Sequence, residues 1–236
     1  MNIMKKLTKN ICIIPARGGS KRVPKKNIIQ FHGKPLLAYT IEAAVKSKLF
    51  GNHIYVSSDS RDILAVAERY AKQGVHAVRR PDEISGDHAS LEDAAIHLLK
   101  TIDQSFDSLC LLMPNFPLRN AKDVSSSYRT FIDKKADCLM TVTDFQWLTP
   151  FWAMQERDNF IHFFFGRKYL IDSKLLPENV FALADAVRWV RIKNFLKERK
   201  FHGKYVMQHE IPFERSIEID TVKDLELARK LYKIAR

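Results

Sequence analysis

A regular alternation of short apolar runs with amphipathic patterns is the feature that most constrains how this chain can fold. Short apolar runs bounded by polar turns predict buried strands, and here they fall at 11–16, 53–57, 75–78, 109–113 and 138–142. Between and after them, apolar residues at helical spacing predict helices at about 34–46, 60–72, from 90 onward, 121–132 and 222–235. This order indicates a mainly parallel sheet with helices on both faces.

Polar residues that cap helices stand where several of the predicted helices begin. Ser60 and Ser90 precede two of them, and Thr221 or Asp220 precedes the last. The side chain of a cap residue accepts a hydrogen bond from a free N–H group of the first turn. Asp93 follows Ser90 within that turn, where the helix dipole favours negative charge.

The first predicted strand runs into a cationic turn, I-C-I-I-P-A-R-G-G-S-K-R-V-P-K-K-N at 11–27. The cations of this turn are Arg17, Lys21, Arg22, Lys25 and Lys26. Ligands of parallel α/β sheets bind at the carboxyl ends of the strands, and glycine lets backbone N–H groups approach an anion closely. The loop is neither a G-x-x-x-x-G-K-[ST] nor a G-x-G-x-x-G motif. The cations therefore predict a phosphate-type anion more strongly than the turn does.

Two acids near the other end of the chain form a second candidate site. R-S-I-E-I-D-T at 215–221 is predicted as a strand, which would place Glu218 and Asp220 on the same side. A charged strand edge or a helix cap would show the same sequence pattern. Together with a phosphate loop, however, the pair is a candidate Mg²⁺ site, with Mn²⁺ as an alternative, because magnesium is held by one or two carboxylates plus substrate phosphates.

Composition limits the classes of partner. The net charge of +12 favours anionic ligands, but the cations are not gathered into an aromatic-interleaved stripe, so no nucleic-acid partner is predicted. No apolar stretch approaches the length of a membrane span, and the apolar run at 11–14 is too short for a signal peptide. Three cysteines without paired spacing predict buried thiols in a reducing compartment, hence a cytoplasmic protein.

The region 143–209 does not follow the alternation. It is rich in aromatic residues and is predicted to leave the main sheet as an inserted substrate or dimerisation region within a single domain, 1–236.

With these residues in view, the chain resembles the acylneuraminate cytidylyltransferase family, which includes the CMP-sialic acid synthetases and their pseudaminic and legionaminic acid counterparts. The resemblance rests first on I-I-P-A-R-G-G-S-K-R-V-P-K-K-N. It continues at 33–44, 56–60, 80–90, 111–119 and 217–225. It implies a Rossmann-like nucleotide-diphospho-sugar transferase fold and a homodimer. It also implies transfer of CMP from CTP to a sialic acid-like sugar for surface polysaccharide biosynthesis, with Mg²⁺ and release of pyrophosphate.

The resemblance also implies roles for individual residues. Catalytic contacts to the triphosphate would come from Arg17, Lys21 and Lys26. Nucleotide-binding residues would be Gly18, Gly19, Ser20, Asn27, Arg80 and Ser90. Asp220 would bind the metal directly, with Glu218 beside it, and His88 is a weaker candidate for a substrate contact.

Departures from the family pattern leave alternatives open. The family's Q-P-T-S-P-L-R is M-P-N-F-P-L-R at 113–119, which removes polar groups near the expected nucleotide or sugar. A descendant that binds nucleotide or a partner without turnover is therefore one alternative. A cytidylyltransferase for an eight-carbon 3-deoxy sugar acid is another, although its loop lacks the Gly-Gly-Ser-Lys order. The exact sugar cannot be read from the sequence.

Overall fold

The apolar runs form strands in a computed structural model that describes residues 9–86, 89–146 and 148–235. The strands are β1 (Asn10–Pro15), β2 (Gln30–Phe31), β3 (Lys34–Pro35), β4 (Ile54–Ser58), β5 (Val75–Arg79), β6 (Ser108–Leu112), β7 (Cys138–Thr143), β8 (Met154–Arg157), β9 (Phe160–Phe163), β10 (Ala182–Arg191) and β11 (Met207–Glu210). The helices are α1 (Leu36–Ser47), α2 (Arg61–Glu68), α3 (Leu91–Thr101), α4 (Ala121–Asp133), α5 (Ile192–Glu198) and α6 (Val222–Leu231). The five strands predicted from the alternating pattern, at 11–16, 53–57, 75–78, 109–113 and 138–142, are present, and their ends lie within one residue of the predicted ones.

The cap residues explain where the helices begin. Ser90 and Asp93 form a capping box at α3, and Thr221 and Asp224 form one at α6. Ser60 precedes α2 as predicted, but its side chain accepts no capping bond from the described residues. None of the helices in the described ranges is long and apolar enough to cross a membrane.

The central sheet has seven strands in the order β11-β7-β10-β6-β1-β4-β5. β1 pairs in parallel with β4 and β6, β4 with β5, and β7 with β11. β10 is antiparallel to both of its neighbours. The sheet is thus mainly parallel, as predicted, and the carboxyl ends of its parallel strands meet at one edge.

Alternating side chains of the central strands face two different layers of helices. Cys12 and Ile14 pack with α1, α2 and α4, while Ile11 and Ile13 pack with α3 and α5. This period of two is what a strand buried on both faces requires. The predicted three-layer α/β/α architecture is confirmed.

Part of the irregular 143–209 region belongs to the central sheet. The strand β10 and the helix α5 lie within that range, and the strand β11 begins in it and ends at Glu210. The described residues 148–181, which we call the arm, lie outside the central sheet and carry the β8–β9 hairpin. The pattern of β10 was hard to recognise because its pairing with β7 shifts register between Leu183 and Arg188.

The prediction of a strand at 215–221 is wrong. Phe213–Arg215 forms a 3-10 turn and residues 216–220 have no regular secondary structure. Ile217 and Ile219 are buried beside α6, which explains the alternating pattern. The segment pairs with a loop instead of a strand, since Ile219 N–H donates to Asn115 O over 2.9 Å.

The edge strand β11 is joined to α4 through an imidazole. His209 Nε2 lies 3.0 Å from Ser126 Oγ, and Nδ1 lies 2.9 Å from Thr130 Oγ1. Burial lowers the pKa of His209, and the nearby Asp123 carboxylate opposes the shift. Asp123 is itself paired with Arg215 over 2.9 Å. The neutral imidazole is therefore the form that the fold favours.

This arrangement predicts that His209 makes stability depend on pH. As the pH falls below the ordinary value of 6.5, the unfolded chain binds a proton that folded His209 binds only at lower pH. The contribution is therefore present above that value and is lost as the pH falls towards the folded pKa. We expect the free-energy difference between wild type and His209→Gln, measured by urea unfolding, to shrink from about pH 7.5 to about pH 5.5. The exposed His202→Gln is the control, and a wild-type-to-H209Q difference that does not change with pH contradicts the assignment.

Candidate active site

The glycine loop follows β1 and lies against the loop that follows β4. Gly18 N–H donates to Asp59 Oδ1 over 2.8 Å. A Cβ atom added to Gly18 would lie 2.9 Å from Ser60 Cβ, whereas none of the described residues has an atom within 4 Å of one added to Gly19. Gly18 therefore supplies close packing, and its N–H group is already engaged.

The cationic turn ends in a short 3-10 helix at Lys26–Ile28 that directs two side chains inward. Lys26 Nζ donates to Ile219 O over 2.8 Å and to Asp220 Oδ1 over 2.9 Å. Asn27 is buried, and its Nδ2 donates to Arg17 O over 2.9 Å. These bonds fix the curve of the loop and tie it to the segment before α6.

Two cationic side chains of this turn contact Asp220. Arg22 Nη2 lies 2.8 Å from Asp220 Oδ2, and Lys26 Nζ binds the other oxygen. Partial desolvation opposes ionisation of the carboxyl, but the hydrogen bonds and charges of Lys26 and Arg22 outweigh it and lower the pKa of Asp220. Asp220 is therefore held as a carboxylate at the centre of the site.

Glu218 has a different environment. Its Oε1 accepts a hydrogen bond of 2.9 Å from Asn115 Nδ2. Loss of hydration raises the pKa of Glu218, the Asn115 bond opposes that shift, and the charges of Asp220 and Asp185 add to it. The structure thus places both predicted acids beside Asn115, although they are not on a strand.

Arg80 and Ser90 lie on the other side of the glycine loop. Arg80 is buried and donates from Nη2 to Ser57 O over 3.0 Å. Burial lowers the pKa of the Arg80 guanidinium, with Asp59 opposing and Arg17 adding to the shift. The Ser90 hydroxyl is held by Asp93 in the capping box.

Adjoining cavities lie along the edge of the sheet at which its parallel strands end. The inner cavity, about 310 Å³, is bounded by Asn27, Arg80, Ser90 and Asn115 among others, a volume at the lower end of the usual range for ligand sites. The basic cavity, about 280 Å³, contains Lys21, Lys26 and Asp220, and a groove of about 410 Å³ follows the glycines. All predicted site residues except Glu218 line one of the three: Arg17, Gly18, Gly19, Ser20, Lys21, Lys26, Asn27, Arg80, Ser90 and Asp220.

Several buried polar atoms around the inner cavity have no hydrogen-bond partner among the described residues. They are Asn27 Oδ1, Arg80 Nε and Asn115 Oδ1. Buried polar atoms are nearly always paired. These three belong to residues that line the inner cavity, and other such atoms, at Ser108 and Thr143 for example, lie elsewhere in the fold. His88, the weaker substrate candidate, lies outside the described residues.

The unusual segment 113–119 is built around a buried arginine. Arg119 Nη2 donates to Thr40 Oγ1 over 2.9 Å and to Met113 O over 3.0 Å. Burial lowers the pKa of Arg119 to about 10, still well above neutral pH. Phe116 is 1% exposed and packs into the main core. Phe116 therefore fills the core and does not line the inner cavity, whereas Met113, the other apolar departure of this segment, does.

The residues present fit a divalent cation that arrives with a phosphate ligand. Among the residues that the structure describes, no group of three or more His, Cys, Asp or Glu could hold a metal ion alone. Asp220 and Glu218 supply two carboxylates beside the basic cavity, which suits magnesium because it takes few protein ligands and several phosphate or water oxygens.

Asn115, Asp59 and Arg22 were not predicted as site residues. Each acts through a partner distant in the sequence: Asn115 through Glu218, Asp59 through Gly18, and Arg22 through Asp220. The signal for Asn115 in the sequence is its place in M-P-N-F at 113–116, where the apolar Met113 and Phe116 are the more conspicuous departures from the family pattern.

A cationic glycine loop, two neighbouring carboxylates and a polar cavity lie at the carboxyl ends of the parallel strands, which is where α/β proteins of this kind bind nucleotides. The family model described as cytidylyltransferase matches residues 11–126. A pseudaminic acid cytidylyltransferase from Campylobacter jejuni subsp. jejuni serotype O:23/36 (strain 81-176) is 35% identical over 229 residues, covering 96% of this chain and 97% of the relative. The chain belongs to this cytidylyltransferase family and is a nucleotidyltransferase.

Two further comparisons agree with this membership. An N-acylneuraminate cytidylyltransferase from Escherichia coli O18:K1:H7 (strain RS218 / NMEC) is 31% identical over 230 residues, covering 94% of this chain and 51% of the relative. The solved structure of CMP:2-keto-3-deoxy-manno-octonic acid synthetase complexed with CTP aligns with a TM-score of 0.71 at 16% identity, covering 97% of this chain and 100% of that one. At that identity the match shows the fold, and it confirms the Rossmann-like nucleotidyltransferase architecture.

The surroundings of Gly18 and Gly19 differ, so we predict that substitution by alanine weakens CTP binding at the first position and hardly at the second. Gly18→Ala places a methyl group against Ser60, so the loop must shift away from Asp59, whereas Gly19→Ala adds a methyl group where there is space. We expect Gly18→Ala to weaken CTP binding about ten-fold, the equivalent of about 1.4 kcal/mol, and Gly19→Ala to change it less than about two-fold. Calorimetric titration with CTP measures both, and equal tolerance of the two substitutions contradicts the packing role of Gly18.

Proposed function

We propose that this nucleotidyltransferase transfers CMP from CTP to the anomeric hydroxyl of a nonulosonic, sialic acid-like sugar and releases pyrophosphate. The observation that carries the proposal is the bond between Lys26 and Asp220. It joins a phosphate loop to a candidate cation ligand at the mouth of a polar cavity. Such a site can hold a nucleoside triphosphate with its α-phosphorus between the loop and the acids.

The catalytic work assigned to the chain's own residues is positioning and charge neutralisation. The sugar oxygen forms a bond to the α-phosphorus, the bond from that phosphorus to pyrophosphate breaks, and the hydroxyl proton passes to solvent. Arg17, Lys21 and Lys26 line the basic cavity and would bind the negative charge that grows on the leaving group. Gly19 and Ser20 would complete the phosphate-binding loop, while Asn27, Arg80 and Ser90 would surround the nucleoside in the inner cavity.

We propose Mg²⁺, with Mn²⁺ as a substitute, as the cation held by Asp220 and Glu218. When bound, it would draw negative charge from the phosphate oxygens and help to orient the triphosphate. Asp220 is ready for this task because Lys26 and Arg22 already hold it ionised. Arg22 is well exposed, with 68% of its side chain accessible, so its bond to Asp220 can exchange readily for another cation.

The acceptor is proposed from the relatives. The C. jejuni relative is named a pseudaminic acid cytidylyltransferase and matches almost the whole of both chains, which favours a pseudaminic acid-like acceptor. This extended match does not favour a binding protein without turnover, and the buried position of Phe116 removes one reason to suspect one. The eight-carbon alternative has only a shared fold in its support. The activated sugar would serve surface polysaccharide biosynthesis.

We also propose a single domain, 1–236, that forms a homodimer through its arm. Large apolar side chains of the arm are exposed, including Met154, Phe160, Ile161 and Phe164, with Phe160 at 70%. Clustered exposed apolar residues mark interaction surfaces, and a second copy is the occupant that the family resemblance implies. The free buried thiols Cys12, Cys110 and Cys138 suit the reducing cytoplasm as the site of reaction.

Pyrophosphate release tests the reaction. Purified protein with CTP and Mg²⁺ is expected to release pyrophosphate with pseudaminic, legionaminic or sialic acid as acceptor, most rapidly with the first. Asp220→Asn removes the charge that holds the cation and is expected to lower the rate about 100-fold or more. Asp62→Asn, an exposed acid paired with Lys25 over 3.7 Å, is the matched control. CTP binding without release of pyrophosphate from CTP in the presence of any of the three sugars contradicts the proposal.

Sedimentation velocity tests the arm. Wild type is expected to sediment as a dimer, and Phe160→Glu, which places a charge on the exposed hairpin, is expected to sediment as a monomer. Leu196→Glu on α5 is the control, because Leu196 is also exposed, at 54%, but lies outside the arm. Dissociation by both substitutions, or by neither, contradicts an interface at this hairpin.

A further inference from the structure

Asn115 is a buried polar residue to which neither the sequence motifs nor the proposed mechanism gives a role. It is 4% exposed and lines the inner cavity. It stands in the M-P-N-F-P-L-R segment, where the family pattern has threonine. The inference drawn from it rests on the proposed function, because it concerns the cation of that same site.

The amide of Asn115 is directed at the two acids. Its Nδ2 donates to Glu218 Oε1 over 2.9 Å and lies 3.5 Å from Asp220 Oδ1. The same nitrogen is 3.4 Å from Ile219 O, and the backbone oxygen of Asn115 accepts from Ile219 N–H over 2.9 Å. One residue therefore holds the whole 218–220 segment by its side chain and its backbone.

The orientation of this amide is set by the carboxylates. Asn115 Oδ1 is buried and has no hydrogen-bond partner among the described residues. Acidic oxygens accept and do not donate when ionised, so the NH₂ end must face Glu218 and Asp220. The amide of Asn115 therefore directs its donors at the acids and leaves Oδ1 without a partner among the described residues.

We propose that Asn115 is a positioning residue that presets the Glu218 and Asp220 carboxylates for the divalent cation. Neighbouring carboxylates repel each other, and a shared donor holds them close in the cation-free protein. Outer contacts of this kind orient metal ligands, and their removal weakens metal affinity about 10–100-fold. Threonine could provide only one hydroxyl donor at this position, whereas the asparagine NH₂ group can reach both acids.

The test measures Mn²⁺ affinity at saturating CTP by water-proton relaxation, without any acceptor sugar. Asn115→Ala is expected to weaken Mn²⁺ binding about ten-fold, and Asn115→Thr, which retains one donor, is expected to weaken it less. An affinity within two-fold of wild type in a folded Asn115→Ala protein that binds CTP overturns the proposal. If Asn115→Ala does not fold, unchanged affinity in Asn115→Thr overturns it instead.

A second measurement separates positioning from a merely structural role. Asn115→Asp keeps the shape but replaces the donors by a third negative charge. Without a divalent cation, the Tm of Asn115→Asp is expected to lie below that of wild type. Addition of Mn²⁺ and CTP is expected to raise the Tm of the variant by more than it raises the Tm of wild type. The control is Asn194→Asp, which adds the same charge at a separate cavity that also contains Asp137 and Glu198. An equal Tm loss with and without Mn²⁺ overturns the proposal.

These measurements do not depend on turnover. Failure of the proposed function would appear as a wild-type protein that binds CTP and Mn²⁺ yet releases no pyrophosphate with any sugar. Failure of the Asn115 inference would appear as an active wild type whose Asn115 variants bind Mn²⁺ like wild type.

Discussion

The site depends on one ion pair between the two ends of the chain, Lys26 with Asp220. Lys26 follows the first strand and Asp220 precedes the last helix, and their side chains are 16% and 35% exposed. The pair draws the phosphate loop onto the segment before α6, and Asn115 attaches the loop after β6 to the same segment. Three loops from distant parts of the sequence therefore meet around one carboxylate, and each adds a group with a different chemical task.

Much of this framework could be predicted because buried parallel strands leave a strong pattern in sequence. β1 and β6 are apolar at nearly every position since both faces of the sheet are covered by helices. β10 could not be predicted, because a register shift interrupts its pairing and charged residues interrupt its apolar pattern. The segment around Ile217 and Ile219 had the alternation of a strand, but that alternation comes from packing on α6 rather than from a sheet.

The candidate site was partly predictable because some of its residues stand directly beside a predicted strand or helix. Cations after a strand and paired acids before a helix can be read locally, and the structure brings Lys26 and Asp220 into contact. Asn115 and Asp59 could not be assigned in this way, because the role of each depends on a partner about a hundred or about forty residues away. Phe116 departs from the family pattern but is a core residue, so burial rather than ligand binding explains its apolar side chain.

The central claim, that CMP is transferred to a nonulosonic acid, is tested most directly by following the α-phosphorus of CTP. Protein, Mg²⁺ and CTP labelled at that phosphorus are incubated in turn with pseudaminic, legionaminic and sialic acid, and the products are separated. The account predicts that the label leaves CTP and appears in a CMP-sugar whose phosphate is bonded to the anomeric oxygen. Label that stays in CTP, or appears in free CMP without a sugar product, would contradict it.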